Sequence, residues 1–208
     1  MRSRELAVVG AFEFMPTAFP DERGYFVSPF QEGAFWEAIG KPLFPVTQTN
    51  MSMSRLNAVR GIHFTTTPPG GAKYVHCARG RAIDIVVDIR VGSPTFGRWD
   101  AVLMDQESFR CCYFPVGVGH AFVALEDNSV MCYMLSQSYV AHWELALSAL
   151  DPDLGLPIPD GIKPILSDRD RVAPTLNEAK DMGILPDYEQ CMALERNLGS
   201  PRVLQEGR

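Results

Sequence analysis

No apolar run in the 208-residue sequence approaches the roughly 20 residues that a membrane-crossing helix requires, so a membrane-embedded protein is not expected. The apolar stretch from Leu6 to Phe12 is short, is broken by Glu13 and has no cleavage site after it, which argues against a signal peptide. Cys77, Cys111, Cys112, Cys132 and Cys191 are odd in number and contain no Cys-x-x-Cys spacing; reduced thiols in a cytoplasmic protein are expected. Positive charge is also scarce. Nineteen Lys and Arg against 25 Asp and Glu leave a net charge of -6, which excludes a general nucleic-acid or membrane-surface binder. An anionic ligand would have to be held by a few placed cations. There is no repeat of fixed period and no low-complexity tract.

What is present is a chain of average apolar and charged content, long enough to bury a full core. Between about residues 45 and 140, short apolar or alternating segments are separated by clusters such as Pro68-Pro69-Gly70-Gly71, Gly92-Ser93-Pro94 and Glu126-Asp127-Asn128-Ser129. That pattern predicts an antiparallel sandwich or barrel. Helical spacing predicts two helices, one from Phe30 to Ile39 stopped by Gly40-Lys41-Pro42, the other from Asp187 to Leu198 with Tyr188, Cys191, Leu194 and Leu198 as its stripe. Along Ala82–Ile89, Ile83, Ile85, Val87 and Ile89 share one face, and Asp84, Val86 and Asp88 the other. The aspartates matter chemically only if their face lines a cavity.

A two-residue hairpin at Asp127-Asn128 would set His120 opposite Leu135 and Phe122 opposite Tyr133, placing His120 and Tyr133 on one face. The same exercise puts His63 and Lys73 on opposite faces of a hairpin centred on Pro69-Gly70. Their convergence would need a bulge or an irregular loop there.

His63, Lys73 and Tyr133 together offer a base, a positive charge and an acid, the set that moves a proton on a carbon beside a carbonyl. His63 would need a carboxylate to fix its tautomer, and Asp170 and Asp84 are both candidates. Lys73 would stabilise an enolate oxygen, an effect commonly worth about 3 kcal/mol. Arg23, Arg60 and Arg169, if gathered, would suit a diphosphate, and Phe26 and Tyr139 would sandwich a base or sugar. The four histidines also raise the possibility of a metal. However, no His-x-His follows Gly61, and Lys73 occupies the region where an acidic ligand would be expected, so no metal is assigned.

The elements Asp21-x-Arg23-Gly24-x-Phe26, Gln48-x-Asn50, Arg60-Gly61-Ile62-His63, Lys73, Ser93-Pro94-Thr95-Phe96-Gly97, Phe114-Pro115-x-Gly117-x-x-His120-Ala121-Phe122 and Leu166-Ser167-x-x-Asp170 follow one another between residues 19 and 170. In this order the chain resembles the dTDP-4-dehydro-6-deoxyhexose 3,5-epimerases of the RmlC-like cupin family. The run from His63 to Gly71 looks most like the actinobacterial members that make deoxysugars for antibiotics.

The resemblance implies an all-β fold, a cupin jelly-roll barrel with short flanking helices, occupying residues 1–175 and followed by a helical extension over 176–208. It implies a homodimer whose N-terminal strand carries Arg23 and Phe26 toward the partner's pocket, and a dTDP-linked 4-keto-6-deoxy sugar as substrate. No organic cofactor or metal is implied. His63 is then the base backed by Asp170, Lys73 holds the enolate, and Tyr133 is the acid on the opposite face. Gln48, Asn50, Arg60, Asp84, His120, Glu144 and Arg169 fall among the substrate contacts, and Tyr139 where a ring stacks. Ser28 stands where the family commonly has glutamate, also on the nucleotide side, and Arg169 where lysine is commoner. Inversion at C3, at C5 or at both, and 2-deoxy or 3-amino sugars, are all within the family's range. The alternatives are a related ketoisomerase, a non-catalytic sugar-binding cupin and a metal-dependent dioxygenase.

Overall fold

The short alternating segments fold as strands, in a computed structural model that describes residues 1–199. In chain order the elements are β1 (Arg2–Glu5), β2 (Phe12–Met15), β3 (Ala18–Asp21), β4 (Gly24–Val27), α1 (Glu32–Ile39), β5 (Gln48–Ser54), β6 (Val59–Thr65), β7 (Lys73–Arg79), β8 (Arg81–Val87), β9 (Trp99–Asp105), β10 (Cys111–Phe114), β11 (Gly119–Ala124), β12 (Ser129–Leu135), β13 (Glu144–Ala146), α2 (Asp168–Arg171), α3 (Leu176–Asp181) and α4 (Tyr188–Asn197). They form a six-stranded sheet in the order β1-β2-β10-β7-β12-β5, a five-stranded sheet in the order β13-β6-β11-β8-β9, and a separate β3-β4 hairpin.

The two large sheets pack face to face. Val75, Cys112, Phe114 and Met131 from the six-stranded sheet meet Ala82, Val86, Val102 and Phe122 from the five-stranded one in a single buried cluster. Strand periodicity then sends the intervening residues to the outer faces, where helices and loops cover them. Ile62, Phe64, Ile85, Val87, Ala121 and Val123 pack against Leu154 and against Leu176 and Ala179 of α3. Phe14, Tyr74, Cys111 and Tyr113 pack under Phe35 of α1 and Cys191 of α4. β10 and β11 are therefore buried on both faces, and apart from His120 they carry no charged or ionisable side chain other than cysteine and tyrosine.

The helix ends carry their expected punctuation. Gly40 closes α1 in the left-handed conformation at φ +80, its N–H donating to the Trp36 carbonyl. Thr175 and Glu178 form a capping box on α3, and Asp187 caps α4 by accepting from the Gln190 N–H. Near the end of α4, Glu195 accepts from Lys41 Nζ at 2.5 Å, from the Val116 N–H at 2.8 Å and from the Tyr113 hydroxyl, tying the helix to the sheet. No helix among the described residues is long and apolar enough to cross a membrane.

The expected β11–β12 hairpin does not form. β11 lies between β6 and β8 in the five-stranded sheet, and β12 between β7 and β5 in the other, so Glu126–Asn128 crosses between layers. Both edges of each strand are already paired, which leaves neither free for the other. The connection from β6 to β7 likewise changes sheets, so no turn at Pro69-Gly70 pairs those strands. β7 and β8 are separated by Gly80 alone, at φ +74, yet they too lie in different sheets; a Cβ there would come within 2.6 Å of the Ser129 hydroxyl.

Candidate active site

The apolar cluster does not fill the whole space between the sheets. A cavity of about 470 Å³ opens beside it, walled by β5, β7 and β12 on one side and by β6 and β11 on the other. Arg60 and His63 both line it, although residues three apart on a regular strand point to opposite faces. A bulge reconciles them: pairing with β11 slips between His120↔His63 and Phe122↔Arg60. Gly61 makes this possible, because its φ is +110 and a Cβ would lie 2.4 Å from the His120 carbonyl oxygen. No other residue type tolerates both conditions.

His63 Nε2 meets Asp170 Oδ1 at 2.8 Å. Asp170 sits on α2, where Ser167 caps the helix by accepting from its backbone N–H. Burial raises the Asp170 carboxyl, but the hydrogen bonds from His63 and Ser167 and the nearby Arg169 outweigh it and hold the group below its ordinary value. An ionised carboxylate can only accept, so the facing ring nitrogen of His63 is the donor and the other nitrogen keeps its lone pair. Burial, opposed by Asp170, also pushes the imidazole pKa down. The pair is a neutral base with an anion behind it.

Across the cavity, Tyr133 of β12 and Lys73 of β7 come from the six-stranded sheet. Burial raises the Tyr133 pKa well above that of a free phenol, so the hydroxyl remains protonated; Ser52 Oγ lies 3.1 Å from it. Burial lowers the Lys73 ammonium, with Glu144 and Asp84 opposing the shift. His120 reaches Tyr133 through the interior, ring centroids 6.0 Å apart, so the two do share a space, but from facing sheets and not across a hairpin. His120 Nε2 binds Asp84 Oδ1 at 2.6 Å. Asp84, 1% exposed, thus stands behind His120 and not on the cavity wall, and of the two carboxylates weighed for His63 it is Asp170 that makes the contact.

Asn50, Tyr139, Glu144 and Arg169 also reach the wall. Gln48 does not, but it orients two residues that do, donating to Asn50 Oδ1 at 2.6 Å and accepting from the Tyr139 N–H at 2.8 Å. Arg23, Phe26 and Ser28 lie away from this cavity, at or beside the β3-β4 hairpin. Arg23 is ion-paired with Asp21 at 2.6 Å, and Phe26 is 68% exposed. The wall residues that sequence reasoning missed include Ser52, bonded to Tyr133, and Thr65, which donates to Glu144 Oε1 at 2.8 Å. A signal for Ser52 existed in the run of polar residues at alternate positions, Gln48, Asn50, Ser52 and Ser54. Among the described residues no three His, Cys, Asp or Glu side chains gather as metal ligands would.

Residues 5–178 match the family described as dTDP-4-dehydrorhamnose 3,5-epimerase. The chain belongs to this family. The match extends the resemblance carried by the motifs between residues 19 and 170. A dTDP-4-dehydrorhamnose 3,5-epimerase of Streptomyces griseus is 46% identical over 195 residues, covering 94% of this chain and 96% of that one. Among solved structures, the 3'-monoepimerase ChmJ of Streptomyces bikiniensis, in complex with dTDP-quinovose, superposes with a TM-score of 0.88 at 44% identity, covering 93% of this chain and 97% of its own. NovW, a 4-keto-6-deoxy sugar epimerase from the novobiocin biosynthetic gene cluster of Streptomyces spheroides, does so with a TM-score of 0.88 at 45% identity, covering 92% and 95%. The family's sheet-rich architecture with a few short helices is therefore also that of this chain. Relatives at similar identity include both 3,5- and 3-epimerases.

Proposed function

We propose that the protein is a cofactor-independent epimerase of a dTDP-linked 4-keto-6-deoxy sugar, serving deoxysugar biosynthesis in the cytoplasm. One observation carries the reading: a carboxylate-backed neutral histidine and a protonated tyrosine line opposite walls of one cavity with a lysine between the same sheets. His63 removes the proton alpha to the ketone, and the C–H electron pair becomes the enolate double bond. The charge that develops on oxygen is met by Lys73. Tyr133 returns a proton from the other side, inverting the carbon. His63 then releases its proton to solvent and the Tyr133 phenolate takes one up, so the cycle closes without a net change. Arg60 and Arg169 meet the diphosphate, and Tyr139, 56% exposed at the cavity mouth, stacks on the nucleotide.

The fold is read as a cupin jelly roll over residues 1–175 followed by an extension over 176–208, of which 200–208 lie outside the described residues, and the active form as a homodimer. Supporting the dimer, the β3-β4 hairpin joins no other strand among the described residues and exposes Phe19 and Phe26, while Met51 and Met53 are exposed on the edge strand β5. Arg23 and Phe26, remote from their own cavity, complete the partner's.

Incubating the protein with dTDP-4-keto-6-deoxyglucose in deuterated water and reading the sugar by NMR tests the activity. Deuterium should enter at C3, C5 or both, and His63→Ala should slow exchange by about 100- to 10,000-fold. Absence of exchange with the wild-type protein would contradict the proposal.

A further inference from the structure

Tyr133 is a half-buried phenol whose hydroxyl has a single protein partner among the described residues, the Ser52 hydroxyl at 3.1 Å. The contact is built into the sheet. Tyr133 pairs with Asn50 and Met131 with Ser52 in the β12–β5 register, so Ser52 and Tyr133 are diagonal neighbours on the same inner face. Both line the cavity. β5 is the edge strand, rigidly registered to β12 over seven consecutive pairs, so the serine is held in place by backbone pairing and not by a loop.

Resting on the reading of Tyr133 as the acid, we propose that Ser52 is the positioning residue for that acid: its hydroxyl donates to the Tyr133 oxygen and so aims the phenol's own proton into the cavity. The direction of the bond decides the outcome. If Tyr133 donated to Ser52, its proton would point along the sheet, away from the sugar. With Ser52 as donor, the phenolic proton is the one left for the enolate carbon, and the same Ser52 O–H stabilises the phenolate once that proton has moved. The phenolate needs this help, because it forms in a buried place, within reach of the negative charge of Asp84. Ser52 takes no part in removing the first proton, which belongs to His63 on the facing sheet. Its loss should therefore separate two events that the wild-type enzyme couples.

The test measures deuterium exchange and inversion together, by NMR of dTDP-4-keto-6-deoxyglucose in deuterated water, for the wild type, Ser52→Ala and Ser52→Thr. Ser52→Ala should keep KM and the initial rate of exchange within about twofold of wild type while its inversion rate falls about 10- to 100-fold, the size of one hydrogen bond to a charged oxygen. Exchange without inversion then accumulates. Ser52→Thr, which keeps the hydroxyl, should restore coupling. Inversion by Ser52→Ala at the wild-type rate would overturn the assignment, as would a parallel loss of exchange and inversion that threonine fails to rescue. A wild type that exchanges no deuterium would instead overturn the epimerase reading and, with it, this inference.

Discussion

His63 is drawn in two directions, and the balance sets its working range. Burial disfavours the imidazolium and Asp170 favours it; burial wins, and the pKa lies below the ordinary value of about 6.5. The base is then unprotonated at neutral pH, and the acid limb of kcat/KM should fall below that value. Asp170→Asn removes the group that raises His63, so the limb should move further down. The plateau should drop as well, by about 100- to 10,000-fold, because the imidazolium formed on taking the proton loses its anion and the tautomer loses its anchor. A pH profile of both enzymes measures the two effects separately. An acid limb that stays in place in Asp170→Asn would assign that limb to another group. On the alkaline side Tyr133 is pushed up and Lys73 down, so Lys73 should lose its proton first.

β6 is the element on which the cavity depends, and Gly61 is its weak point. The bulge there puts Arg60 and His63 on one wall, while Ile62 turns into the opposite core, 0% exposed. In Gly61→Ala, a Cβ at 2.4 Å from the His120 carbonyl and a φ of +110 would both have to be relieved. Straightening β6 is the available relief, and it would exchange the faces of the residues on one side of the bulge. The variant should lose about 2 to 4 kcal/mol of stability, read as a lower midpoint in denaturant, and lose activity even where it remains folded. This bulge also marks how far the chain could be read from its residues alone. Periodicity marks the strand-rich stretch between about residues 45 and 140, and places α1 to within two residues and α4 to within one at each end, because each signal is local. Pairing is not local. From β5 to β8 and again from β9 to β13, consecutive strands alternate between the two sheets, so adjacency in sequence pairs β11 with β12 when its partners are β6 and β8. His120 and Tyr133 still meet, since inward-facing residues of opposed sheets share the interior whatever their register. A serine on an edge strand is ordinarily solvated, so nothing local singles out Ser52 from the other polar residues of β5; its place on the cavity wall and its diagonal contact with Tyr133 separate it from Ser54, which is buried and accepts from Arg60 Nε.

For the whole molecule, the question is whether one chain contains a complete site. The cavity holds the base, the lysine and the phenol, but Arg23 stands outside it with its side chain 90% exposed, on a hairpin whose Phe19 and Phe26 are bare. A two-stranded hairpin with exposed aromatic rings is only marginally stable on its own, and a second copy offers the same surface in return, as twofold symmetry requires. If each hairpin completes the partner's cavity, Arg23→Ala and His63→Ala damage different subunits' contributions to a given site. Each variant alone should be impaired, His63→Ala severely. Mixed and allowed to exchange subunits, they should form hybrids with one doubly damaged site and one site that has both His63 and Arg23 intact. Random reassortment makes half the dimers hybrid, so about a quarter of wild-type activity should return. If Arg23 serves its own chain's cavity, every site in the mixture carries one lesion and no activity returns beyond the sum of the two variants. Activity of the mixture as a function of time after combining them, with sedimentation to count the subunits, distinguishes the two arrangements.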